Sequence, residues 1–259
     1  MTLVLQDTWA LTWRWLIHLR RDVMSLTIGL IQPLTFLLFG VAFRETLSAR
    51  GADATVASGD YPTFVAIGVV VFTMLVNAFM GGIPIVFDRE TGFMDKILAS
   101  PVSRTAIVAS RFVYVIFFSL IQAFVVLAAA WLLLGARFVS PLGTIAAVVG
   151  YGGLLSAAIS AGSLACAFVF PHHSTFFAIT GFFMTPVLIL STAFVPLWRM
   201  PAWMAYVAWA NPLTHAIEPI RSFALGAPCA SLLGHAIVLV GWDMVLIALA
   251  VRVVRSRLD

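Results

Sequence analysis

Charge is what this chain has least of. Only 10% of its 259 residues are Asp, Glu, Lys or Arg, and 62% are hydrophobic; an ordinary soluble domain carries about 25% charged residues. So little polar sequence cannot coat a globule on all sides, which excludes a soluble fold and makes this an integral membrane protein, as the mean hydropathy of +1.05 agrees. Lysine is nearly missing, with Lys96 the single one, and no G-x-x-x-x-G-K-[ST] run occurs, so the chain carries no phosphate-binding loop. The two cysteines, Cys166 and Cys229, lack C-x-x-C spacing, which excludes a zinc ribbon or a disulfide framework. The first 20 residues hold the acidic Asp7 and neither an uninterrupted apolar core nor an A-x-A site, so no cleaved signal peptide is expected. The net charge of +4 does not mark a nucleic-acid binder, because the arginines are scattered at the ends of apolar runs.

What is present is a succession of runs near the ~20 residues that a membrane-crossing helix needs. They fall at Val23–Phe43, Tyr61–Phe87, Ala106–Leu134, Leu142–Phe170, Thr175–Pro196 and Ala230–Val251, six in all, and predict an all-α fold with six transmembrane helices. If both termini are cytoplasmic, the inner segments hold ten basic residues, among them Arg14, Arg89, Lys96, Arg104, Arg111 and Arg252, against five on the outer side. That bias places the 88–104 loop inside the cell. Residues 1–22 project Asp7, Arg14, His18 and Arg21 to one side of a helix, and Leu5, Trp9, Trp13 and Leu16 to the other. This is the pattern of a helix lying in the membrane interface, with a plain cytoplasmic lead-in as its rival.

The 88–104 loop is the one long charged interruption. Asp88, Arg89 and Glu90 leave the second span, Thr91 and Gly92 allow a turn, and Phe93 to Leu98 form a short helix before Pro101. Such a helix gathers Phe93, Met94 and Ile97 into an apolar knob beside Lys96. The knob suits a groove in a cytoplasmic partner; a solvated connector has the same composition, and both readings stay open here. Inside the membrane the polar residues are few. Gln32, Asn77 and Gln122 are candidates for interhelical hydrogen bonds or a pathway, and Asp243 falls in the last span, where either helix packing or a role in passage accounts for it. His172 and His173 sit in the turn between the fourth and fifth spans with no third metal ligand nearby in sequence, which points to headgroups or a partner rather than a metal. The small residues from Gly152 to Ser163 predict tight packing of the fourth span.

Glu90-Thr91-Gly92-Phe93 followed by Leu98-Ala99-Ser100-Pro101-Val102-Ser103-Arg104 resembles the first cytoplasmic loop of type-2 ABC exporter permeases. Pro196-Leu197, Met200-Pro201-Ala202-Trp203, Asn211-Pro212-Leu213-Thr214 and Glu218-Pro219-Ile220-Arg221 resemble the segment before that family's last span. Gln32-Pro33 with Phe39-Gly40, and Tyr61, Phe64 and Gly68, also fit in order. The resemblance implies one permease domain over residues 1–259. Within it, 88–104 is a cytoplasmic coupling loop, with Arg89, Glu90, Thr91, Gly92, Phe93, Met94, Lys96 and Ile97 contacting the ATPase. Residues 197–225 are two short re-entrant helices, although Pro219 inside the second is a departure that puts its geometry in question, and an external loop with an aromatic belt is the rival. It further implies two copies of a separate ATP-binding subunit that hold ATP and Mg²⁺, a second permease subunit forming a homo- or heterodimer, and a bacterial inner membrane. No catalytic residue, metal or cofactor is expected in this chain. Its cargo would be a drug, lipid or lipid-linked glycan. An ion-coupled secondary transporter would instead centre on Asp243, and a membrane-embedded enzyme would need clustered polar residues that the spans lack.

Overall fold

The computed structural model describes residues 2–21, 23–42, 61–98 and 104–258, and among them it is all-helical in class, with helices joined by short turns and no strand. Helix α1 (Thr2–Arg21) precedes α2 (Val23–Ala42), then α3 (Tyr61–Met80), α4 (Ile83–Glu90), α5 (Phe93–Leu98) and α6 (Arg104–Leu134). Helix α7 (Pro141–Ala147) runs through a π-helical turn at Val148–Gly152 into α8 (Gly153–Val169). Next come α9 (His173–Ile189), a single 3₁₀ turn at Leu197–Arg199, α10 (Ala202–Ala210), α11 (Pro212–Leu225) and α12 (Leu232–Leu258).

Helix α3 is the axis of the bundle. It is apolar on every side, and residues such as Ile67, Val70, Met74 and Leu75 have no accessible surface. A helix hydrophobic all round must be surrounded, and α2, α6, α8 and α11 pack about it. The small-residue stretch of α8 lets α12 lie along it, with Leu246 close to Gly162, as its composition predicts. Gly68 of α3 lies where an added Cβ would stand 2.4 Å from the carbonyl oxygen of Ala193, so any larger residue would push the turn after α9 away.

Among the described residues four helical segments are long and apolar enough to cross a membrane: Tyr61–Glu90, Ala109–Leu134, Pro141–Val169 and Leu232–Val254. The apolar part of α2, Thr27–Leu38, and α9 are shorter. The expected fifth run to Pro196 is corrected here: α9 stops at Ile189. The side-chain amide of Asn211 donates to the carbonyls of Val187 at 2.7 Å and Leu190 at 2.8 Å, so the carbonyls of that end are satisfied from another segment and the helix need not continue. At 17 residues α9 is about 25 Å long, short of the ~30 Å hydrocarbon core. The last helix instead runs past the expected Val251 to Leu258. Helix α11 stays helical through Pro219, which answers the question raised by that proline.

The two ends of the bundle differ. At one, Thr63 is hydrogen-bonded to the backbone of Arg137, the Val139 amide donates to Ala224, and the Tyr151 hydroxyl donates to Leu232; helices α10 and α11 gather there. At the other, α4 and α5 meet the turn joining α8 and α9. Helix α1 packs along α6 and buries Thr12 while Trp9 and Trp13 stack at 6.2 Å on its exposed side.

Candidate functional site

Helix α5 occupies Phe93–Leu98, where the spacing predicts a short helix. It is reached by a turn in which the Thr91 amide donates to Phe87, the Gly92 amide donates to Arg89, and Gly92 takes a φ of +68°. That left-handed conformation suits glycine. The expected apolar knob is only partly correct. Phe93 is 41% exposed and Lys96 is exposed, but Met94 is 6% exposed and packs with Ile85, Val86, Leu164 and Phe176. Adjacent positions on a helix point about 100° apart, so Met94 turns inward where Phe93 turns out. The Ile97 side chain lies outside the described residues.

Arg89 and Glu90 reach away from α5 to the turn between α8 and α9. Arg89 Nη1 donates to the carbonyls of Ala167 at 2.6 Å and Phe170 at 3.3 Å, closing the C-terminal end of α8. Glu90 accepts from the His173 amide at 2.7 Å, its oxygens lie 2.8 and 3.0 Å from His173 Nδ1, and His172 Nδ1 is 3.6 Å away. The His173 ring stacks on Phe87 at 5.1 Å. The histidine pair thus faces a carboxylate of its own chain, a contact between residues 83 apart that sequence spacing could not reveal. No group of three or more His, Cys, Asp or Glu able to hold a metal occurs among the described residues.

Of the four intramembrane candidates the structure unites two. Asn77 on α3 donates to Gln122 Oε1 on α6 at 2.9 Å, and Gln122 is 1% exposed. Helix α2 meets this pair through Gly29, where an added Cβ would stand 2.7 Å from Gln122 Nε2. Gln32, one turn further along α2, is exposed. Asp243 stands apart on α12, on the same buried stripe as Leu239 and Ala250, and its Oδ1 has no hydrogen-bond partner among the described residues.

The opposite end holds a polar network built on the Asn211-Pro212 and Glu218-Pro219-Ile220-Arg221 motifs. Asn211 Oδ1 accepts from the Leu213 amide at 2.9 Å as the N-cap of α11, with Pro212 at the first helical position. Arg221 Nη2 donates to Thr192 at 3.0 Å and Ala193 at 3.3 Å, and Nη1 lies 3.3 Å from Glu218. Burial lowers the Arg221 pKa to about 10, which leaves it charged at neutral pH. His215 and His235 lie outside those motifs. His215 Nε2 lies 2.6 Å from the Trp209 carbonyl, so that nitrogen carries the proton, and Nδ1 is left to accept from His235 Nδ1 at 2.8 Å. Burial holds His215 below the ordinary histidine value. The Asn-Pro dipeptide was a readable capping signal; the histidine pairing across two helices had none.

Several apolar helices, a charged short helix between two of them at one end and a proline-broken aromatic segment at the other define a multi-pass membrane protein. Residues 6–225 match the family model described as "ABC-2 type transporter", and the chain belongs to that family. It is 33% identical over 220 residues to the "Putative transport permease ycf38" of Porphyra purpurea, covering 84% of this chain and 74% of that protein. The protein of the same name from Cyanophora paradoxa is 32% identical over 221 residues, covering 84% and 73%. The "Probable multidrug ABC transporter permease YbhR" of Escherichia coli (strain K12) is 26% identical over 172 residues, 63% of this chain and 43% of that protein. The chain is therefore an ABC-2 family transport permease, whose family works in general with an ABC ATP-binding partner.

Proposed function

We propose that this chain is the transmembrane subunit of an ATP-driven exporter, a single domain over residues 1–259 that lines a path for an amphipathic drug, lipid or lipid-linked glycan. The observation that carries the reading is α5, a charged helix with Phe93 and Lys96 turned outward, set between α4 and α6 in a chain of this family. The family relatives named as permeases support it, one of them for multidrug transport. The basic residues favour both termini in the cytoplasm, and the family likeness favours a bacterial inner membrane. In this reading residues 1–22 lie in the interface and α2 and α9 complete six crossings. Helices α10 and α11 dip into the outer leaflet with Trp203, Tyr206 and Trp209 at headgroup depth.

Two ATP-binding subunits hold ATP and Mg²⁺, and this chain, without a phosphate-binding loop, catalyses nothing itself. It pairs with a second permease subunit, and Arg89 to Ile97 receive the motion of the ATPase pair, which alternately opens the path between the two permeases.

The test is co-purification with the candidate ATP-binding subunit in lipid nanodiscs, comparing ATPase rates of wild type and a Glu90→Ala/Phe93→Ala variant. A stable complex whose rate changes with the variant supports the reading. A folded permease that binds no ATPase subunit overturns it and leaves ion-coupled transport through Asp243 as the alternative.

A further inference from the structure

The short helix α5 is joined to the rest of the protein unequally. Between α3 and α4 the regular helix is interrupted by a two-residue turn at Gly81 and Gly82, although the segment continues as one candidate span. At that break the Gly82 amide donates to Ser163 Oγ of α8 at 3.0 Å, and an added Cβ on Gly82 would stand 2.6 Å from the Ser163 carbonyl oxygen. Beyond it, α4 and α5 do not share the main core around α3. Ile85, Val86 and Met94 form a separate apolar cluster with Leu164 and Phe168 of α8 and Phe176 of α9. Two charged side chains reinforce it. Arg89 holds the carbonyl end of α8, and Glu90 holds the amide end of α9 through the His173 backbone and ring. An amide in the first helical turn has no intrahelical acceptor, and a carboxylate at a helix N-terminus is also favoured by the helix dipole.

We infer that the turn from Phe170 to His173 is a second arm of the coupling site, with Arg89 and His173 as positioning residues. A push on α5 is delivered first to α8 and α9 through the Glu90–His173 clamp and the shared apolar cluster; along the chain it reaches α3 across the Gly81–Gly82 turn, and α8 passes it on where it packs against α3. A rigid body composed of α4, α5 and the facing ends of α8 and α9 follows from this arrangement. The inference rests on the proposed ATPase-coupled function and specifies where the motion goes.

The experiment has two arms. In the first, hydrogen exchange is measured on the permease alone across residues 170–176. Glu90→Ala speeds exchange of the His173 amide by roughly tenfold, the size expected for loss of one hydrogen bond to a charged acceptor. Unchanged exchange overturns the clamp. In the second arm, the permease carries Cys229→Ser, so that Cys166, which lies one turn before Phe170 on α8 and is half-buried, is the remaining thiol.

The rate of Cys166 alkylation by a maleimide is then compared with and without Mg-ATP in the complex. Nucleotide changes that rate in the wild-type background. His173→Ala abolishes the change while the ATP-binding subunit stays bound, and His173→Asn, which keeps an N–H donor near the position of Nδ1, restores it. A nucleotide response that is absent in the wild-type background, or identical with His173→Ala, overturns the inference and leaves the clamp a merely structural contact. Failure of the wild-type permease to bind any ATP-binding subunit is seen at the purification step. It overturns the proposed function together with this inference.

Discussion

The Arg221 guanidinium stands 3.7 Å from the centre of the Phe64 ring, a cation over an aromatic face that ties α11 to the start of α3. Its Nη2 holds the Thr192 and Ala193 carbonyls and its Nη1 holds Glu218. A planar fork fits this set of partners, whereas an ammonium group cannot reach all of them at once. Arg221→Lys therefore costs about 1.5–3 kcal/mol of stability, the range for hydrogen bonds involving a charged group, although charge is conserved. Denaturant or thermal unfolding in detergent measures it, and an unaltered midpoint would sink the assignment.

His215 makes the same end of the bundle sensitive to acid. Its unfolded pKa is near 6.5 and burial lowers the folded one. Between the two values the unfolded chain binds more protons, so stability is present above about pH 6.5 and is lost as pH falls below it. Protonation of both rings would also set two N–H donors against each other where His215 and His235 now share one hydrogen bond. His215→Gln flattens the fall of the unfolding temperature between about pH 7 and pH 5, a window set by the ordinary histidine range. An equally steep fall in that variant would assign the acid sensitivity elsewhere.

Asn77 and Gln122 form a side-chain hydrogen bond between α3 and α6, two helices long and apolar enough to cross a membrane. Interhelical bonds of this sort average about 0.6 kcal/mol and reach about 1.7 in double-mutant cycles. Asn77→Ala and Gln122→Ala are accordingly non-additive by about that amount when unfolding is compared across the single and double variants. Strict additivity would mean that the two amides do not interact.

Met94 and Phe93 are neighbours with opposite duties. Met94→Ala removes a buried side chain from the cluster beneath α5 and destabilises the chain by about 2–4 kcal/mol. Phe93→Ala, at an exposed position, changes the unfolding midpoint by less than about 0.5 kcal/mol. Under the proposed function it weakens retention of the ATP-binding subunit. Pairing an unfolding scan with a pull-down separates the two, and the reverse pattern would contradict the burial seen here.

Much of the architecture was legible in the chain. A bilayer demands about 20 apolar residues for each crossing and leaves backbone polar groups no partner but the helix itself, so run length alone placed the cores of α3, α6, α8 and α12. Local chemistry likewise placed α5, because Gly92 and the charged residues around it interrupt an apolar run. The end of α9 was not legible, because its last carbonyls are satisfied by Asn211 from more than 20 residues away in the sequence. The inward turn of Met94 was missed for a related reason: spacing shows which residues share a face, but not which face meets a neighbour.

By itself, then, the sequence determined that this is a helical membrane protein, where its long apolar helices lie, and which short segment breaks the pattern with charge. Only the tertiary structure decided that Asn77 meets Gln122, that His215 meets His235, and that Glu90 meets His173. Helix formation depends on bonds four residues apart, which the local sequence controls. Each of these pairs depends on how two separate helices are rotated and packed, and that is set by the fit of the whole bundle.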